Sequence, residues 1–167
     1  MNLLNKSMSP KEKVIVNIDK FVQFHKDRIN LLNEFVKNKS HGRLIYQVCF
    51  LGFESLAKII YLKVDDEKRR FIDILSLPNM GITINEAKKL WDDWRNSLIH
   101  QGFVAHPWNT LEMWEEYDIC FLEYPENKLR SSTELPPESM IAVYKGRIEY
   151  VENFFKKNNI KKLDLYL

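Results

Sequence analysis

Between Arg43 and Lys63 nearly every position is apolar or small: Leu44, Ile45, Val48, Cys49, Phe50, Leu51, Phe53, Leu56, Ala57, Ile59 and Ile60. On a helix these residues leave little of the circumference polar, and a helix of that kind is stable only when other elements cover it on most sides. The run is broken by Gln47, Glu54 and Lys58, so it does not read as a membrane span. It therefore predicts a central helix, and the rest of the chain must supply its cover.

The remaining segments fit that demand. Val14, Ile18, Phe21, Ile29, Leu32 and Phe35 recur at helical intervals after Ser9-Pro10, which predicts a first helix from about residue 10 to 37, with His25 in its apolar stripe. Asp65 or Asp66 can cap a short helix carrying Phe71, Ile72, Ile74 and Leu75, ended by Pro78 and Gly81. Thr83-Ile84-Asn85-Glu86 has the form of a capping box, so a further helix begins there and carries Ala87, Leu90, Trp91, Trp94 and Leu98 toward Gly102. From Glu138 onward, Ile141, Tyr144, Ile148, Val151 and Phe155 form a last helical stripe. Phe103 to Tyr124 is aromatic-rich, with a helical turn at Thr110 to Glu116 and an extended piece at Ile119 to Tyr124 among its readings, and Pro125 to Pro137 is polar and turn-rich.

Five Gly and six Pro in 167 residues suit long helices better than a turn-rich β-architecture. The expectation is an all-α fold, a bundle of about four to five helices with an irregular segment before the last, in a single domain over residues 1–167. A net charge of +2 is too mild to mark a dedicated nucleic-acid binder, so any such contact must be local. Cys49 and Cys120 lie in apolar surroundings without metal-ligand spacing and read as buried, reduced thiols. The start Met-Asn-Leu-Leu-Asn-Lys lacks the apolar core of an export signal, which gives a cytoplasmic protein without a membrane span as the expectation. His25, His41 and His106 show no metal-ligand spacing, and no Gly-rich phosphate loop is present, so neither metal nor cofactor is expected.

Chemistry gathers at Arg95-Asn96-Ser97-Leu98-Ile99-His100. An arginine is permanently charged and forks onto phosphate oxygens, whereas a histidine passes protons near neutrality. The same residues also describe ordinary placement of cations at a helix C-terminus, which the helix dipole favours. On a regular α-helix, positions five apart are rotated by about 140°, so Arg95 and His100 of one chain would not face the same atom. Fraying at Gly102 or a twofold axis between two chains would bring them together.

The Arg-x4-His spacing, with the polar Asn96 after the arginine, resembles the Arg-x4-6-His signature of the HEPN domains (higher eukaryotes and prokaryotes nucleotide-binding), many of which are dimeric, metal-independent ribonucleases. A second likeness is Glu54-Ser55-Leu56-Ala57-Lys58, since an acidic residue followed four later by lysine recurs at this place in HEPN sequences. The resemblance covers about residues 10 to 102. It implies a homodimer acting on RNA, with His100 as proton acceptor and donor, Arg95 stabilising charge on the phosphate, and Asn96 orienting His100 or bonding a phosphate oxygen. Glu54 and Lys58 would be supporting residues, with Arg95 as a partner for Glu54, although an internal Glu54–Lys58 pair reads equally from the spacing. A toxin or defence role, with an antitoxin or nucleotidyltransferase partner, goes with that family. One departure is Gly102, which stands where many such toxins carry a tyrosine that the partner modifies. The rival within the family is a non-catalytic domain that binds RNA, a nucleotide or a protein. Trp91, Trp94, Trp108 and Trp114 could stack bases but read more readily as core, and Lys68-Arg69-Arg70 could add phosphate contacts.

Overall fold

A computed structural model describes residues 13–38, 41–78, 80–95 and 137–166. Strand β1 is Lys13–Asn17, followed by α1, Ile18–Lys37, α2, Gly42–Ile60, α3, Glu67–Leu75, and α4, Ile84–Lys89. The last continues directly into a π-helical turn over Leu90–Arg95. Helix α5 is Pro137–Lys157 and strand β2 is Lys162–Tyr166. Of the described residues 74% are helical, so the chain is all-α with one small sheet as an accessory. No described helix is long and apolar enough to cross a membrane.

Local signals set most helix starts. The Asp66 side chain accepts from Arg69 N at 3.1 Å and opens α3. Thr83 and Glu86 make both halves of the capping box that opens α4. Pro137 occupies the first position of α5, where its missing N–H costs nothing. Helix α2 is the centre, packed against α5 on one side and α3 on another, with α1 lying on α5 and on α2. Its inward residues Tyr46, Phe50 and Phe53 join Phe71, Trp94 and Tyr144 in an aromatic core, with Phe53 and Tyr144 rings 5.5 Å apart and Phe50 and Phe71 rings 5.9 Å apart. Gly52 permits the close approach of α5, because a Cβ there would occupy the space of the Tyr144 ring. Leu44 and Leu51 remain exposed, so the described residues leave one flank of α2 incompletely covered. Cys49 is buried with a free thiol, whose pKa burial pushes up.

The start of the first helix differs from the sequence expectation. Residues 13–17 form a strand, and α1 begins at Ile18, where the Asn17 side chain accepts from Lys20 N at 3.0 Å. Val14-Ile15-Val16 is a β-branched run that favours extended backbone, and it pairs antiparallel with β2, Val14 opposite Leu165 and Val16 opposite Leu163. Val16, Leu163 and Leu165 pack against the core, while Ile15 stays 60% exposed. The helical spacing of Val14 with Ile18 was coincidental, and its strand partner lies beyond α5. The segments over residues 1–12 and 96–136, which include the expected turn at Thr110 to Glu116, the extended piece at Ile119 to Tyr124 and the irregular stretch before the last helix, lie outside the described residues.

A buried arginine joins α5 to α3. Arg147 donates from Nε to the Ile74 carbonyl at 2.9 Å and from Nη2 to the carbonyls of Leu75 and, at 3.2 Å, Met80. A helix leaves its last carbonyls without intrahelical donors, and Arg147 supplies them at the end of α3.

Candidate site around Arg95

The capping box at Thr83 fixes where α4 starts, and from Leu90 the winding widens to i→i+5 closure. The wider turn serves packing: Leu90, Trp91, Trp94 and Arg95 are all buried. Trp94 lies against Tyr46, ring centroids 4.7 Å apart, and Trp91 against Phe71 at 5.0 Å. These two tryptophans are therefore core, not exposed platforms for bases; Trp108 and Trp114 lie outside the described residues.

Arg95, the last described residue of the turn, is only 9% exposed. Its Nε donates to Glu54 Oε1, its Nη2 lies 3.6 Å from Glu67 Oε1, and its guanidinium carbon stands 4.4 Å from the centroid of the Trp91 ring. Three elements thus orient one side chain: α2 gives Glu54, α3 gives Glu67, and the π turn gives Trp91. The hydrogen bond to Glu54 raises the guanidinium pKa above its ordinary value, against the opposing effect of burial. A carboxylate on the half-buried flank of an apolar helix needs a cation or donors, and Arg95 meets that need.

Of the two partners the spacing offered Glu54, the structure selects Arg95. Lys58 is exposed and makes no ion pair or hydrogen bond among the described residues, so the internal Glu54–Lys58 pair is not formed. The three neighbouring cations of α3 separate in role. Lys68 pairs with Asp92 at 2.6 Å, Arg69 lies 3.8 Å from Asp73, and Arg70 donates from Nη1 to the Val64 carbonyl at 2.7 Å. Asn96 and His100 lie outside the described residues, so the arrangement of the Arg95–His100 pair is not part of this geometry.

Beside Arg95 the surface opens into a depression of about 300 Å³ lined by Leu51, Glu54, Ser55, Lys58, Glu67 and Arg70. Behind it, the Ser55 hydroxyl lies 3.4 Å from His25 Nε2, and His25 Nδ1 shares a hydrogen bond with the Tyr144 hydroxyl. Burial, with a smaller contribution from Arg28, lowers the His25 pKa to about 4. The imidazole is therefore neutral near pH 7, donating through one nitrogen and accepting through the other. His25 was expected in the core of the first helix, and it is fully buried there. Sequence reading did not find Glu67, Arg147 or the His25–Tyr144 bond, because each contact joins elements far apart in the chain. The one local hint was for Glu67, an acid in the first turn of a capped helix, and it indicated only a favourable dipole.

Among the described residues no group of three His, Cys, Asp or Glu is placed to hold a metal ion. Compared with models of protein families, with curated proteins and with solved structures, the chain matches none.

Proposed function

We propose that this chain is a metal-independent endoribonuclease of the HEPN type that works as a cytoplasmic homodimer, in a toxin or defence role restrained by an antitoxin or nucleotidyltransferase partner. The observation that carries the reading is the setting of Arg95. An arginine placed only to complement a helix dipole is solvated, whereas this one is buried and gripped by Glu54, Glu67 and Trp91, and its two carboxylate partners line a surface depression. That is the setting of a cation whose direction matters.

In the proposed reaction, neutral His100 takes the proton of the ribose 2′-hydroxyl. The 2′-oxygen attacks the adjacent phosphorus, the P–O5′ bond breaks, and the leaving 5′-oxygen is protonated by a charged His100, of the same or the partner chain. Arg95 stabilises charge on the nonbridging oxygens, and Asn96 orients His100. Glu54 holds the guanidinium in place. The products are a 2′,3′-cyclic phosphate and a 5′-hydroxyl, and DNA is not cut because it lacks the nucleophile.

A second reading draws on the same contacts: two carboxylates already balance Arg95, as they would in a structural ion pair of a non-catalytic domain that binds RNA, a nucleotide or a protein. Cleavage of a fluorogenic single-stranded RNA in EDTA separates the two. Wild type should cut, while Arg95→Ala and His100→Ala, prepared identically, should lose about a hundredfold or more in rate. An inactive wild type, or variants that cut as well as it does, would leave the binding-domain reading.

A further inference from the structure

Counting charge around the depression separates its two acids from its cations. Glu54 and Glu67 both turn to Arg95. Lys58 has no partner among the described residues, and Arg70 bonds only a neutral carbonyl, with no carboxylate paired to it there. Lys68 and Arg69, next to Arg70 in sequence, are engaged by Asp92 and Asp73. The surplus positive charge therefore sits on Lys58 and Arg70, on the rim of a hollow whose apolar surface includes Leu51, 46% exposed. A hollow of about 300 Å³ is at the small end of ligand sites, and it accepts one nucleotide unit better than a folded partner. Two cations and an exposed leucine in one lining suit a phosphate with its attached sugar and base.

We infer that this depression is a subsite for one nucleotide of a bound RNA strand, with Lys58 and Arg70 contacting its phosphate; the inference rests on the reading of the chain as an enzyme that cuts single-stranded RNA. Lys58 is then a direct phosphate contact and not a support for Glu54. Its exposed ammonium acts as a mobile point charge, and Arg70 supplies the more fixed one.

The test uses the full chain carrying His100→Ala, which prevents turnover, and a fluorescein-labelled single-stranded RNA whose anisotropy is followed across a salt series. Lys58→Ala should weaken binding about fivefold, Lys58→Glu more, and each should lower the slope of log affinity against log salt by about 0.7, the value for one phosphate contact on a single strand. Arg70→Met should behave likewise, with circular dichroism to verify its fold, since Arg70 also bonds Val64. Lys145→Ala, on an exposed position of α5, should change neither quantity. If the parent binds RNA but Lys58→Glu keeps its affinity and salt slope, the subsite is wrong and the ribonuclease reading stands. If the parent binds no RNA, both fall. Binding that Lys58→Glu destroys, in a protein whose wild type never cuts, overturns the subsite as stated together with the nuclease and makes the depression the RNA contact of a non-catalytic domain.

Discussion

Arg95 and Arg147 are both buried, and they meet burial in opposite ways. Arg147, 1% exposed, is held by the carbonyls of Ile74, Leu75 and Met80, with no carboxylate paired to it among the described residues. Desolvation dominates there and brings its pKa down to about 10, with Tyr61 pulling the other way. Arg95 is held by carboxylates, and the Glu54 hydrogen bond takes its pKa up. Neutral acceptors use the arginine to finish a helix end. Charged acceptors fix a guanidinium from two sides, with carboxylates that themselves line a surface depression. The first arrangement is about stability and the second about position.

The largest test of this contrast is Arg147→Met. Three carbonyls would lose their donor in a closed interior, at roughly 1–3 kcal/mol for each group left unsatisfied. A loss of about 4 kcal/mol in urea unfolding is expected, with the fold of any surviving protein unchanged. A loss under about 1 kcal/mol would mean that water replaces the guanidinium and that the capping role is minor.

Next comes His25, which, like Arg147, is held by uncharged partners. Its folded pKa near 4 lies below the ordinary 6.5, so as pH falls the unfolded chain takes up the proton first. The stability this group permits is complete above about pH 6.5, declines through the interval down to about 4, and then levels off. The interval corresponds to on the order of 3 kcal/mol. Unfolding of wild type and His25→Gln across that range, compared at each pH, should show the steeper slope in wild type. Parallel curves would mean that His25 is protonated in the native state.

Arg95→Ala should cost less than Arg147→Met. It leaves Glu54 without its cation, but that carboxylate borders an open depression where water can reach it, so about 2 kcal/mol is expected. Glu54→Gln, which keeps a hydrogen-bond acceptor for Arg95, should lose less still. If Arg95→Ala destabilised as much as Arg147→Met, the pair would be structural and the contrast would collapse. The smallest effect belongs to Lys58→Glu, an exposed change expected within about 0.5 kcal/mol of wild type in the same assay.

The sequence made the helices legible wherever a local signal coincided with a long apolar stripe. The Thr83 box, the Asp66 cap and the stripe from Ile141 to Phe155 all describe helices that form. It failed at Val14-Ile15-Val16, where a β-branched run was read into the following helix because its strand partner is near the other end of the chain. The site was legible in the same measure. Glu54 and Arg95 could be matched because an acid in a buried helix demands a cation, but Glu67 and the π winding at Leu90–Arg95 carry no such demand.

What the sequence determined by itself was the class: a nearly all-round apolar helix in α2 requires a helical coat, and residues with helical periodicity supply it. What only the tertiary structure decided was which charge meets which. Glu54 had Lys58 one turn away and Arg95 far along the chain, and it took Arg95, because packing the tryptophans of the π turn against α2 and α3 carries that guanidinium, itself largely shielded from solvent, onto the carboxylate. A charge pair is strengthened by such exclusion of water, whereas Lys58, left in solvent, has little to gain from the neighbour that spacing alone assigned to it.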